Sequence, residues 1–594
     1  MALEIKNLNP KDLFRNIKRS LYLLWETNRR LALLSFALQV IQALLPVVSL
    51  FFIKLIIEKV TDKLPFSDLL PFIIYFLATQ LTFALVQQYA AHITAVYQPM
   101  ITDHLSQKVL NKAISVDYAY YENPAYHDNL HLAQQQSLYK AGAILSNFNS
   151  FITSGFALLF LLLFFISMQS FFALLFIALS IPLALIKWYF GIATFQQERK
   201  LAPLEREALY LHQVLTGVSY AKETRLFGFG SFFIEKFANI RSYILLQKKS
   251  LNKRLTQYSL LAESIELIAM ATIFAFLAKQ AVTGFITLGL FVIYIQGFQG
   301  LQNNSRNFLQ SIVQILQLRI FLQDLFTFLD LKMATKPDNQ QPFPILNKGL
   351  IIDSLSFHYP GIAKPVLQNI SLKCQPGQIV AIVGENGSGK STLIKLLAKL
   401  YEAQSGTILF DETALNHITS ESYQKKAVFL FQDFEKYFFT VEENITLGRP
   451  MAGKTDAEIQ EAATLSGANR FITKLSKGYK TRMGGIFDGS TQLSGGEWQK
   501  LALSRVFYRD DAAMIVLDEP TSALDAGAEY EIFNQIKLLA GNKIVILITH
   551  RLYNLKIADY LYVMEHGTIS ESGTFDELVN KGGLFTRLYN MQQL

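Results

Sequence analysis

From residue 31 to residue 53 the chain runs for more than twenty positions without a charged side chain. A stretch of that length matches the hydrocarbon core of a bilayer, about 30 Å thick. In that medium every backbone polar group must be satisfied within the segment, which selects a helix. A second such run covers about residues 69–91. The apolar stretch 151–186 is too long for one span and breaks at Ser167-Met168-Gln169-Ser170, so it reads as two helices joined by a tight turn. Runs over about 258–278, which contains Glu263 and Glu266, and over 285–301 bring the expected count to six. Composition agrees: 51% of the 594 residues are hydrophobic and 17% are charged, against roughly 25% charged in soluble globular proteins. A purely soluble enzyme and a disordered chain are both excluded. The single cysteine, Cys374, excludes an intramolecular disulfide framework and a multi-cysteine zinc site.

Spacing between the spans says more than their number. About sixty residues separate the second span from the third and about seventy the fourth from the fifth, so both long segments lie on one side. That side reads as cytoplasmic, because the 4–5 segment holds Arg199, Lys200, Arg206, Lys222, Arg225, Lys248, Lys249, Lys253 and Arg254 while the opposite turns are nearly bare. An even span count returns the chain to its starting side. Helical patterns persist into both segments, so the spans are expected to extend beyond the bilayer, about 25 residues reaching roughly 37 Å. Residues 10–30 mix Leu, Phe and Trp with Lys18, Arg19, Arg29 and Arg30, as an interfacial amphipathic helix would. No cleavable signal peptide is visible. The net charge of +8 over so long a chain is read as a topology signal, with no nucleic-acid partner expected.

Residues 332–342 are polar and punctuated by Pro337 and Pro342, which marks a linker. Beyond it short β-rich runs at 379–383, 427–431, 514–517 and 544–548 alternate with helical patterns. This predicts an α/β domain with a largely parallel sheet. The organisation is therefore an interfacial helix over 1–30, a six-helix membrane domain over 31–331, a linker over 332–343 and an α/β domain over 344–594.

Gly384-Glu385-Asn386-Gly387-Ser388-Gly389-Lys390-Ser391 matches a phosphate-loop pattern, placed after one of these strands and before a helix expected over 392–400. Its glycines let backbone N–H groups wrap phosphates at a helix N-terminus; Lys390 offers a point charge and Ser391 a ligand for Mg²⁺. Thr392 and Asn386 belong to the same cradle. The run from Ala513 to Pro520 carries Asp518 and Glu519 at the C-terminal end of a buried strand, where an open α/β sheet binds ligand. Asp518 would enter the Mg²⁺ shell. Glu519 would face the attacking water as general base or water-positioning group.

These residues resemble the ATP-binding cassette transporters, and among them the exporters that fuse six spans to one cassette. The most specific element, Leu493-Ser494-Gly495-Gly496-Glu497, is similar to the family's signature motif; a serine-glycine turn is also an ordinary helix N-cap. Position by position, Tyr359 resembles the aromatic residue that stacks on adenine, although a strand tyrosine also serves plain packing. Gln432 resembles the glutamine that touches Mg²⁺ and water, Ser522-Ala523-Leu524-Asp525 the loop that crosses the cassette dimer, and His550 the histidine on the γ-phosphate. Two features depart from the commonest pattern: Trp498 precedes Gln499, and the segment before the signature reads Gly484-Gly485-Ile486-Phe487-Asp488-Gly489-Ser490-Thr491-Gln492, where family exporters often carry an acidic residue near the glycine that contacts the cytoplasmic helices of the membrane domain.

The resemblance implies an α-helical transmembrane domain followed by an α/β P-loop ATPase domain. It implies ATP and Mg²⁺ as cofactors and a second half-transporter as partner. The intact catalytic set favours a homodimer, though the competent half of a heterodimer would read the same. Alternating access across a bacterial cytoplasmic membrane, with cassette and both termini cytoplasmic, would export a small-molecule or peptide cargo. A lipid flippase and an ATP-gated channel or regulator are the alternatives. Residues 120–126 and 221–228 look like coupling helices, the first in a version similar to that of bacterial exporters of peptides and peptide-derived natural products. The lack of a peptidase segment before the first span argues against a leader-cleaving exporter. Gln39, Gln42, Gln80, Gln87, Gln296, Gln299 and Asn303 recur at helical spacing, either lining a neutral polar cavity or joining helices by hydrogen bonds. Glu263 and Glu266 share a helix face and are expected at the interface.

Overall fold

A computed structural model describes residues 10–122, 124–167, 172–331, 340–362, 364–450, 453 and 455–593. The chain divides into two compact units, Met1–Val116 with Pro124–Lys332, and Asp117–Asn123 with Met333–Leu594.

In the first unit α1 (Pro10–Thr27) ends where Asn28 caps the next helix, its side chain accepting from the N–H groups of Arg30 and Leu31. Six long helices follow: α2 (Arg29–Thr61), α3 (Phe66–Ser115), α5 (Pro124–Ser167), α6 (Phe172–Thr216), α8 (Gly230–Val282) and α9 (Leu288–Leu329). Between them lie two short ones, α4 (Tyr118–Tyr121, part of the second unit) and α7 (Ala221–Leu226). The expected break between the third and fourth spans falls where α5 stops and α6 starts, and residues 168–171 lie outside the described residues. So does Asn123 of the first coupling segment, and so does most of the linker.

Among the described residues four helices are long and apolar enough to cross a membrane: α2, α3, Gly142–Ile166 within α5, and α8. The apolar part of α9 lies early, before the chain turns amide-rich at Asn303. At 50 and 53 residues, α3 and α8 are each roughly 75–80 Å long, more than twice a hydrocarbon core. The core of the unit joins α2, α5, α8 and α9 through Val47, Leu161, Phe165, Leu277, Tyr294 and Phe298. A Cβ at Gly297 would stand 2.3 Å from the Phe165 ring, so glycine is what lets α9 lie this close to α5. Glu266 packs into the protein rather than facing outward. It is buried, 3% exposed, with its carboxylate 3.3 Å from Arg306 of α9, and Glu263 approaches the same guanidinium at 3.8 Å. A partner cation offsets the cost of burying the charge.

The second unit holds two sheets. The larger has the order β10-β9-β3-β8-β7-β6, from β3 (Ile379–Gly384), β6 (Ala427–Leu430), β7 (Met514–Asp518), β8 (Ile544–Ile548), β9 (Tyr560–Glu565) and β10 (Thr568–Gly573). It is parallel except for the β9–β10 pair. Strands β3, β7 and β8 are buried along their whole length, which is why they read as unbroken aliphatic runs. A four-stranded antiparallel sheet of order β2-β1-β4-β5, from β1 (Leu350–Phe357), β2 (Leu367–Cys374), β4 (Ser405–Phe410) and β5 (Thr413–Ala414), was not anticipated. Among the described residues the unit also holds, besides α4, the helices α10 (Lys390–Leu397), α11 (Ser420–Lys426), α12 (Val441–Thr446), α13 (Asp456–Leu465), α14 (Asn469–Ile472), α15 (Gly495–Phe507), α16 (Ala526–Ala540), α17 (Phe575–Asn580) and α18 (Leu584–Met591).

Candidate functional site

The C-terminal ends of β3 and β7 deliver the two motifs to one edge of the parallel sheet. Gly384 ends β3 at φ +154, where a Cβ would sit 2.2 Å from the Met564 carbonyl oxygen. No other residue fits that turn. The helix begins two residues earlier than expected, at Lys390, with Gly389 left-handed as its N-cap, and it ends at Leu397 rather than at 400. Lys390 Nζ donates to the carbonyls of Gly384 (2.8 Å) and Glu385 (2.9 Å), folding its side chain back over the loop. Burial holds its ammonium below the ordinary lysine value, against the pull of Asp518 and Glu519. Ser388 Oγ is buried without a hydrogen-bond partner, an orphan hydroxyl in the loop that a bound phosphate would satisfy.

Asp518, the last residue of β7, is pushed up to about 6 by burial and by the neighbouring charges of Glu519 and Asp433, with Lys390 working the other way. A divalent cation would reverse that field. Together with Ser391 at the start of α10 and Gln432 just past β6, the carboxylate supplies the oxygen donors Mg²⁺ prefers. Glu519 follows in the left-handed conformation, φ +48. Its carboxylate is met from both sides, by Gln432 Nε2 at 3.0 Å and by His550 Nε2 at 2.9 Å. The structure thus brings Gln432, Glu519 and His550 together, three residues from separate segments of the sequence.

Tyr359 lies beside the loop, half-buried, with its hydroxyl 3.0 Å from Thr392 Oγ1 and its ring edge-on to Phe357 and Tyr401. Ser494 caps α15 in a reciprocal box with Glu497, whose Oε2 accepts from both the N–H and the hydroxyl of Ser494 at 2.8 Å. Gly495 and Gly496 form the first turn of that helix, and a Cβ on Gly496 would press the Ala523 carbonyl at 2.9 Å. Asp525 caps α16 by accepting from the N–H of Ala528, a bond that holds its carboxyl below the usual range.

The partners of two acids were not read from the sequence, although Glu122 lies in the segment 120–126 expected as a coupling helix. Glu529 of α16, 2% exposed, accepts hydrogen bonds from Thr521, Arg551 and Tyr553, tying the segment after Glu519 to the one after His550. Glu122, next to α4 in the same unit, accepts from Lys395 Nζ at 2.6 Å and from the Tyr401 hydroxyl. Burial opposes its ionisation, but the bonds from Lys395 and Tyr401 prevail and keep its carboxyl below the ordinary glutamate range. Lys395 also stands 5.5 Å over the Tyr359 ring. Nothing in the local sequence announces either set of partners.

The first unit contains a cavity of about 800 Å³ formed by α2, α3, α5 and α9. Its wall includes Gln39, Gln42 and Gln87 as expected, but Gln80 instead donates to Ser49 Oγ at 3.0 Å. Gln296, Gln299 and Asn303 are exposed, away from the cavity, and the α9 face that lines it carries Asn304, Asn307, Ser311 and Gln314. Asn149, beside Thr94 and Ser35, sits at the centre of its hydrogen bonds.

The family model described as ABC transporter matches residues 367–522. Over 592 residues the chain is 30% identical to the subtilin transport ATP-binding protein SpaT of Bacillus subtilis, covering 99% of this chain and 96% of that one. It is 29% identical over 600 residues to the nisin transport ATP-binding protein NisT of Lactococcus lactis subsp. lactis, covering 99% of each. A solved bacterial Atm1-family ABC exporter with ATP bound superposes with a TM-score of 0.81 at 21% identity, over 96% of this chain and 99% of that one. The α/β unit is accordingly an ATPase that uses ATP and Mg²⁺, coupled to export through a helical membrane unit. The chain belongs to the ABC transporter family, as a half-transporter with its cassette fused behind its membrane helices.

Proposed function

We propose that two copies of this chain form an exporter of polypeptide cargo in a bacterial cytoplasmic membrane, with membrane domain 31–331 feeding cassette 344–594 and with cassette and termini cytoplasmic. The observation that carries the cargo class is the cavity wall. Among the described residues eighteen line it, Ala90, Ala91 and Ala95 with Gln, Asn, Ser or Thr at the other positions, and none of these is charged, aromatic or long and aliphatic. Sites for drug-like molecules are mostly apolar, and a flippase must pass acyl chains. Amides and hydroxyls instead both donate and accept, which suits the alternating N–H and C=O groups of an extended peptide backbone. The full-length relatives, named for subtilin and nisin transport, support the same reading.

Each ATP would be held by the phosphate loop and Tyr359 of one chain and by Ser494, Gly495 and Gly496 of the other, with Glu497 keeping Ser494 in place. Asp518, Ser391 and Gln432 would hold Mg²⁺, which neutralises charge on the outer phosphate oxygens. Glu519 would take or orient the proton of the attacking water, Gln432 and His550 holding its carboxylate, His550 and Lys390 standing by the γ-phosphate.

The test is ATPase stimulation in proteoliposomes by a synthetic peptide of Ser, Thr, Asn, Gln and Gly, set against a hydrophobic cation and a short-chain phospholipid. The peptide should stimulate and the other two should not. Asn149→Leu, which puts a branched apolar group among donors and acceptors, should raise the half-stimulating peptide concentration about tenfold, the worth of one or two hydrogen bonds. Stimulation by lipid or cation with none by peptide would refute the cargo assignment. ATP turnover indifferent to all three would favour the channel or regulator.

A further inference from the structure

Glu519 carries the carboxylate of the site on a left-handed backbone, φ +48. A β-carbon makes that conformation costly, so it persists only where the surroundings over-determine it. On one side its N–H donates to the Ile548 carbonyl at 2.8 Å. On the other its carbonyl accepts from Nε2 of Gln499, at 3.0 Å. Gln499 lies in α15, the helix that Ser494 begins, and is 1% exposed.

The rest of its amide is engaged as well. Nε2 reaches Ser522 Oγ at 3.1 Å, and Oε1 accepts from the N–H of Ala523 at 2.7 Å. Chemistry fixes which way the amide faces, because a carbonyl can only accept and a backbone N–H can only donate. One buried side chain therefore closes a ring over residues 519–523, the segment that must turn sharply for Glu519 to aim at Gln432 and His550.

We propose that Gln499 is a positioning residue for ATP hydrolysis: it holds Glu519 in its left-handed turn and so fixes where the carboxylate points. This rests on Glu519 being the group that handles the water's proton. It deepens that reading by naming what sets its geometry.

Full-length protein in lipid nanodiscs tests it. Gln499→Met keeps the volume and removes all three bonds; Gln499→Glu keeps one acceptor but sets a carboxylate oxygen against the Glu519 carbonyl, which can only accept. Ser522→Ala leaves the carbonyl tie intact. A small displacement of a catalytic group costs on the order of a hundredfold, so kcat should fall at least about thirtyfold in Gln499→Met and further in Gln499→Glu. KM for ATP and retention of radiolabelled ATP should stay within about twofold, and Ser522→Ala should lose less than about threefold. In a Glu519→Gln background, adding Gln499→Met should not lower the residual single-turnover rate, because the group it positions is already gone.

Two results would overturn the proposal: kcat near wild type in both Gln499 variants, or a full multiplicative loss in the Glu519→Gln background. The second would mean that Gln499 serves the structure at large. Near-normal hydrolysis by Glu519→Gln alone would instead remove the reading beneath it, so the two failures are distinguishable.

Discussion

Glu519→Gln should bind ATP as the wild type does and fail to hydrolyse it, with kcat down at least about a hundredfold, the lower end of what a general base contributes. The amide keeps the size of the carboxylate, so Gln432 and His550 still have an oxygen to approach on one side. What is lost is the acceptor for the water's proton. Because binding survives, the variant should retain nucleotide after gel filtration in Mg-ATP, and spin labels on the two cassettes of a dimer should report a closed separation. Normal hydrolysis would dismiss Glu519 as the base; bound ATP without approach of the cassettes would dismiss closure by binding.

Lys390→Ala should be at least as severe, and for a different reason. Its ammonium is the buried cation of the phosphate loop, held by the carbonyls of Gly384 and Glu385 within the field of Asp518 and Glu519. Removing it leaves phosphate charge beside two carboxylates with Mg²⁺ alone to offset it. In a transition state that depends almost wholly on electrostatic stabilisation this is worth on the order of a thousandfold in turnover. ATP affinity should fall too, unlike in Glu519→Gln, and equilibrium binding of a fluorescent ATP analogue separates the two. Mixing chains bearing Lys390→Ala with chains bearing Ser494→Arg should restore turnover above that of either variant alone, since such dimers assemble one site from two unmutated halves. No restoration would contradict a composite site able to work singly.

The catalytic motifs were legible because their residues are contiguous. Gly384 to Ser391 and Met514 to Glu519 each place a strand, a turn and their chemistry in one short run, and backbone geometry does the rest. The parallel sheet was readable for the same reason, its strands being buried on both faces. The antiparallel sheet was not, since β1, β2 and β4 alternate buried and exposed residues with bulges that break the period. Contacts made across the fold were also hidden. Gln499 reads as one more helix glutamine until Glu519 and Ala523 are seen against it. The cavity shows the same limit at finer scale: its neutral amides were expected, but on α9 the lining face is set by how that helix rolls against α5, which moved the lining from Asn303 to Asn304. Nor did the sequence pair Glu266 with Arg306, a contact made between α8 and α9.

The most direct test of ATP-driven peptide export uses inside-out membrane vesicles, which would turn the cassettes to the bath in the proposed cytoplasmic orientation. A fluorescein-labelled peptide of Ser, Thr, Asn, Gln and Gly is added with Mg-ATP, and its accumulation inside is followed with time. The wild-type chain should concentrate the peptide only while ATP is hydrolysed, and vesicles carrying Glu519→Gln or Lys390→Ala should stay at the background of empty membranes. Accumulation without ATP, or equal accumulation by the two variants, would contradict the account.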